Sequence, residues 1–129
     1  MEIALRATLI GWLRADAALA AELNSVSEEA PVKAALPWLA IAASASADWS
    51  AKDRAGREVR IALELHCRGD RPDTSAALVR ALESRVAALP RSQDGFEIVS
   101  ALFLRARTEQ RAGNVRSILT EYRFRVLSA

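Results

Sequence analysis

The chain has 129 residues, 51% hydrophobic and 26% charged, which is the composition of a globular chain and excludes a wholly disordered one. That length fits one domain, residues 1–129, and leaves no room for two. With a net charge of +2, one cysteine and one histidine, an internal disulfide is excluded and a metal site built from several His or Cys residues is not expected.

The N-terminus opens Met1-Glu2, without a basic leader ahead of an apolar core, so no secretory signal is expected. Residues 2–15 are predicted to form an amphipathic helix, because Leu5, Leu9, Trp12 and Leu13 recur at helical spacing while Glu2, Arg6 and Arg14 lie off that stripe. Asp16 reads as the N-cap of a second short helix through Leu19 to Leu23. Asn24 to Ala35 is a connector with room for a short edge strand around Val26. A strand is predicted from Pro37 through Trp38-Leu39-Ala40-Ile41, apolar on both faces as a covered strand would be. The charge-free run Ala34 to Ala47 contains Pro37 and falls short of the roughly 20 residues that a membrane helix needs.

Asp48 to Gly56 carries turn and charge signals and reads as a loop. In the next segment Val59, Ile61, Leu63, Leu65 and Cys67 alternate with Arg60, Ala62, Glu64, His66 and Arg68, the pattern of a strand with one buried face. Gly69 to Pro72 ends it. Asp73 or Thr74 is predicted to cap a helix to about Leu89, with Leu78, Leu82, Val86 and Leu89 on one side, before Pro90 stops it. A polar turn leads to a strand from Phe96 to Arg107, and Glu109 to Asn114 reads as a hairpin connection. In the final strand Ile118, Thr120, Tyr122, Phe124 and Val126 face one way, and Glu121, Arg123 and Arg125 face the other. Two hairpins separated by a helix predict an α+β fold: an antiparallel sheet of about four strands with helices packed on one face.

The residues supply little chemistry. His66 and Cys67 are neighbours on a strand, so they point to opposite faces and cannot form a dyad; a hydrolase using His66 alone would need partners that the sequence does not offer. No Gly-rich phosphate loop is present. Neither an enzyme nor a bound cofactor is expected. Trp49, between Asp48 and Ser50 in a loop, reads either as a side chain folded back on the core or, beside Lys52 and Arg57, as an interface anchor, since Trp and Arg are enriched at hot spots.

Charge is uneven. Residues 1–50 hold six acids against Arg6, Arg14 and Lys33. Residues 101–129 hold Arg105, Arg107, Arg111, Arg116, Arg123 and Arg125 against Glu109 and Glu121. An acidic head and a basic tail suit head-to-tail contact between copies. A nucleic-acid face using Arg105, Arg107, Arg123 and Arg125 is the competing reading, and a merely solvated sheet face is the third. The candidate interface residues are Trp49, Lys52, Arg57, Arg105, Arg107, Arg123 and Arg125.

Several segments together resemble one family. They are Leu36-Pro37-Trp38, Asp48-Trp49-Ser50-x-Lys52, Gly56-Arg57-Glu58 ahead of an alternating strand, and the closing Tyr122-Arg123-Phe124-Arg125-Val126, with the helix ahead of Asp16-Ala17-Ala18-Leu19. From about residue 2 to 127 the chain is similar to the tail-completion or tail-terminator proteins of long-tailed phages, and especially to the versions carried by gene transfer agents. It departs from the pattern at His66-Cys67, where an aromatic is expected, and along Asn24 to Ala35. The resemblance implies a structural virion protein without catalytic residues, assembling as a homohexameric ring at the tail-neck junction. Such a ring caps the tail tube protein and docks to a neck or head-closure protein, while DNA passes through without specific recognition and no membrane is involved. The particle would assemble in the bacterial cytoplasm. A neighbouring head-closure or adaptor protein is the alternative that the same resemblance leaves open.

Overall fold

The two alternating segments of the sequence lie side by side at the centre of one sheet. In the computed structural model, which describes residues 1–129, they are β3 (Gly56–Arg68) and β6 (Val115–Ser128), paired antiparallel from Gly56 opposite Leu127 to Arg68 opposite Val115. The register places Val59 beside Phe124, Ile61 beside Tyr122, Leu63 beside Thr120 and Leu65 beside Ile118. All eight are buried, so a period of two in each strand becomes one continuous apolar face.

Flanking strands extend the sheet. β2 (Trp38–Asp48) pairs with β3, and β5 (Phe96–Arg111) pairs with β6, both antiparallel. Two-residue strands β1 (Val26–Ser27) and β4 (Ser92–Gln93) sit outermost, giving the order β1-β2-β3-β6-β5-β4. The sheet therefore has six strands where about four are expected from the sequence. Of the two extra ones, β1 falls at Val26, where the sequence leaves room for a short edge strand, and β4 is a pair of residues without a hydrophobic period of its own. β1 runs parallel to β2, the one exception to an otherwise antiparallel sheet.

Three helices cover the apolar face: α1 (Glu2–Arg14), α2 (Ala17–Glu22) and α3 (Pro72–Ala87). Leu5, Leu9, Ile10 and Leu13 of α1, Leu19 of α2, and Leu78, Leu82 and Val86 of α3 join the strand residues in a core of 23 buried side chains. Full burial of each leucine is worth about 1.5–3 kcal/mol. Asp16 caps α2 as expected, accepting the Leu19 N–H at 3.0 Å. For α3 the expected cap is corrected. Arg71 occupies the N-cap without a side-chain bond, and Pro72 opens the helix, because proline is preset for the first turn and needs no amide partner there.

The strands outrun their predicted ends. β2 continues through the Ala/Ser segment to Asp48, and β5 continues to Arg111. Between β5 and β6, Gly113 and Asn114 adopt positive φ (77° and 59°), which both residue types tolerate. Bulges interrupt β2 at Ala42 and β5 near Val99 and Leu104, adding local twist to the sheet.

Candidate interface

Opposite the helices, the sheet presents an open face. Parity assigns to it Glu58, Arg60, Ala62, Glu64 and His66 of β3, Glu121, Arg123 and Arg125 of β6, and Ala43, Ala45 and Ala47 of β2. On β5 the bulges keep Leu102, Arg105, Arg107 and Glu109 on the same side, opposite Arg123, Glu121, Leu119 and Ser117.

The loop between β2 and β3 stands at one end of this face and is held by its own polar groups. The Trp49 N–H donates to the Gly56 carbonyl at 3.0 Å. The Ser50 hydroxyl donates to Asp48 Oδ1 at 2.7 Å and accepts the Gly56 N–H at 3.0 Å. Gly56 lies so close to the Trp49 carbonyl that a Cβ there would collide with it. Arg54 ties the loop to the C-terminal strand, donating twice to the Ser128 carbonyl at 2.8 and 2.6 Å.

Three of the candidate residues come together here. The half-buried Trp49 ring lies 5.4 Å from the Arg125 guanidinium, within cation–π range. Arg125 Nε donates to Glu58 Oε1 at 3.1 Å, and Arg123 Nε lies 3.7 Å from the same oxygen. Arg123 and Arg125 thus share one carboxylate, and Trp49 joins the group through Arg125. Lys52 is exposed at the loop tip. Arg57 turns to the helix side, where its Nη1 donates to Ser46 Oγ at 3.4 Å. Arg105 and Arg107 sit further along the open face; the step from Arg125 to Glu121, the partner of Arg105, is four residues, or about 13 Å.

The arginines are largely matched. Arg105 donates to both Glu121 oxygens at 2.8 and 3.1 Å, and that hydrogen bond holds the Glu121 carboxyl below its ordinary range. Arg107 and Arg111 each approach Glu109 at 3.3 Å. Arg116 is spent on the fold, donating to the Gly69 carbonyl at 3.0 Å. The basic tail of the sequence is therefore mostly neutralised within the sheet. Glu58, Glu109 and Glu121 do this, with Glu64 a second partner of Arg111 at 3.6 Å, and none of these pairings stands out from the sequence. The alternation of these glutamates is visible there, but their partners depend on register.

His66 and Cys67 separate as expected. Cys67 is buried in the core, and burial pushes its thiol up. His66 stacks on Trp38 with ring centroids 4.1 Å apart, its Nε2 3.1 Å from Glu64 Oε2. No three His, Cys, Asp or Glu side chains converge as a metal site, and no helix is long and apolar enough to cross a membrane.

A family model described as tail completion protein gp17 matches residues 7–127. Among solved structures, a chain from a structure described as the virion of a native gene transfer agent particle is similar at a TM-score of 0.77 and 25% identity. The likeness covers 95% of this chain and 94% of that one. No curated protein matches the chain.

Proposed function

The chain belongs to the tail completion protein gp17 family, and from that premise we propose that it is a single-domain, ring-forming tail terminator. In this reading a homohexamer caps the tail tube at the tail-neck junction of a phage-like particle. It docks to a neck or head-closure protein, and DNA passes through the ring without specific recognition. The observation that carries the reading is likeness over almost the whole of both chains to a component of a gene transfer agent virion.

The open face supports a structural role over nucleic-acid recognition. Arg105, Arg107, Arg111, Arg123 and Arg125 sit in ion pairs with Glu58, Glu109 and Glu121, and of the arginines assigned to the face Arg60 alone stands without one, so few free cations remain to displace counterions from phosphates. Heterologous contacts between identical subunits close into a ring when the rotation between copies permits it.

The test is electron microscopy of particles from a strain with the gene deleted. Detached tails of abnormal length beside tailless, DNA-filled heads are expected. Normally tailed particles would overturn the reading.

A further inference from the structure

Both outer edges of the sheet are only partly covered. β4 pairs with β5 only at Phe96 and Glu97, and the Ile98 N–H donates to the Arg91 carbonyl at 2.7 Å. From Val99 to Arg111 the outer backbone edge of β5 has no partner. On the other side, β1 pairs with β2 only at Leu39 and Ala40. The outer edge of β2 from Ala42 to Asp48 is likewise unpaired. Such rows of free N–H and C=O groups are templates for another strand.

The two edges fit each other. β2 and β5 run in opposite directions, because each step from β2 through β3 and β6 to β5 is antiparallel. Two copies in the same orientation therefore bring β5 of one against β2 of the other as an antiparallel pair. The side chains are complementary in size. β5 leaves Val99, Leu102 and Phe103 about half exposed, whereas β2 from Ala42 to Ala47 carries only alanine and serine. They are also complementary in charge. The free length of β5 bears Arg105, Arg107 and Arg111 against Glu109, while β2 bears no basic residue and ends in Asp48. The Ala/Ser run has none of the lysines or prolines that usually guard an exposed edge.

We propose that the free edge of β5 in one copy pairs antiparallel with the free edge of β2 in a second copy, joining neighbouring sheets into one. The proposal rests on the ring reading above and names its contact. Keeping the helices of both copies on one side sets open face against open face. That places Ala43, Ala45 and Ala47 opposite members of the series Leu102, Arg105, Arg107 and Glu109. The bulges in both strands supply the bending that closure of a continuous sheet requires.

Particles carrying Cys67→Ser and Ala45→Cys, with one further cysteine at Leu102, Arg105, Arg107 or Glu109, test this under mild oxidation. One of the four pairs is expected to give a ladder of covalent multimers, and single-cysteine controls none. In parallel, Ala45→Lys sets like charge against the β5 arginines and is expected to lower the yield of joined particles at least several-fold, whereas Ala45→Glu retains it. Absence of any ladder in normally tailed particles, or equal yields from Ala45→Lys and Ala45→Glu, would overturn the edge pairing and leave the ring reading intact. Normal tails in the deletion strain would instead overturn the ring reading.

Discussion

Trp12 and Arg85 hold each other from both ends. The indole Nε1–H donates to the Arg85 carbonyl at 2.7 Å, and the Arg85 guanidinium donates back to the Trp12 carbonyl at 2.9 and 2.7 Å. The guanidinium carbon also lies 3.3 Å from the centre of the indole ring. This exchange fastens the end of α1 to the end of α3. Arg85→Ala removes the bonds to the Trp12 carbonyl and the cation–π contact together, at a cost of about 2–3 kcal/mol. Arg85→Lys recovers only part, since an ammonium neither forks nor stacks as a guanidinium does. Urea midpoints of the three proteins check the order wild type, Lys, Ala.

Trp12 and Arg85 also mark what a sequence conveys. The apolar stripe containing Trp12 is legible as a helix face, because helical period acts within one segment. That Arg85 would cover it is a tertiary fact with no local signal. The same division holds across the sheet. Alternation in residues 59–67 and 118–126 exposes both central strands and separates His66 from Cys67. The Ala/Ser run after Ile41 is weak in β propensity, and only pairing with β3 makes it a strand. β1 and β4 are too short to carry a period. The matched charges on the open face need the register of β3 against β6, which the bulges in β2 and β5 further disguise at the flanks.

Tyr122 predicts an alkaline weakness. Its side chain is buried in the core, and burial pushes its hydroxyl up to about 12, from an ordinary value of 10.0. The folded state thus favours the neutral phenol. Stability from this group is fully present below pH 10 and is lost as pH rises through the folded value. The loss is on the order of 2 kcal/mol. Tyr122→Phe is expected to flatten that part of the pH–stability curve between pH 10 and 12. It should cost little at neutral pH, because the buried hydroxyl has no hydrogen-bond partner. Thermal melts of both proteins across that range would expose an equal alkaline loss, which would contradict this account.

Glu58 and Glu121 determine how basic the open face looks from outside. Replacing both by glutamine removes the carboxylates beside Arg105, Arg123 and Arg125 and adds two to the formal net charge. The wild-type protein is expected to bind duplex DNA weakly at low salt. The double variant should bind roughly ten-fold more tightly, with an affinity that falls steeply as salt rises. Fluorescence anisotropy with a labelled duplex measures both. Unchanged binding would mean that the pairing of these arginines is not what restrains the face.

Trp49 in the β2–β3 loop and Arg57 near the start of β3 serve different sides of the sheet, so they separate two docking surfaces. Trp49 lies with Arg123 and Arg125 at the end of the open face, and Arg57 faces the helix side beside Ser46. Losing the Trp49–Arg125 contact costs about 0.5–1 kcal/mol, so Trp49→Ala should remain folded, with a urea midpoint near that of the wild type. An interface anchor, by contrast, is worth about 2 kcal/mol or more in binding. If the open face docks, Trp49→Ala and the pair Arg123→Glu with Arg125→Glu will reduce joined particles in a complemented deletion strain, while Arg57→Ala will not. The opposite ranking would move the docking surface to the helix side. Full joining by all three would remove this end of the sheet from the joint altogether.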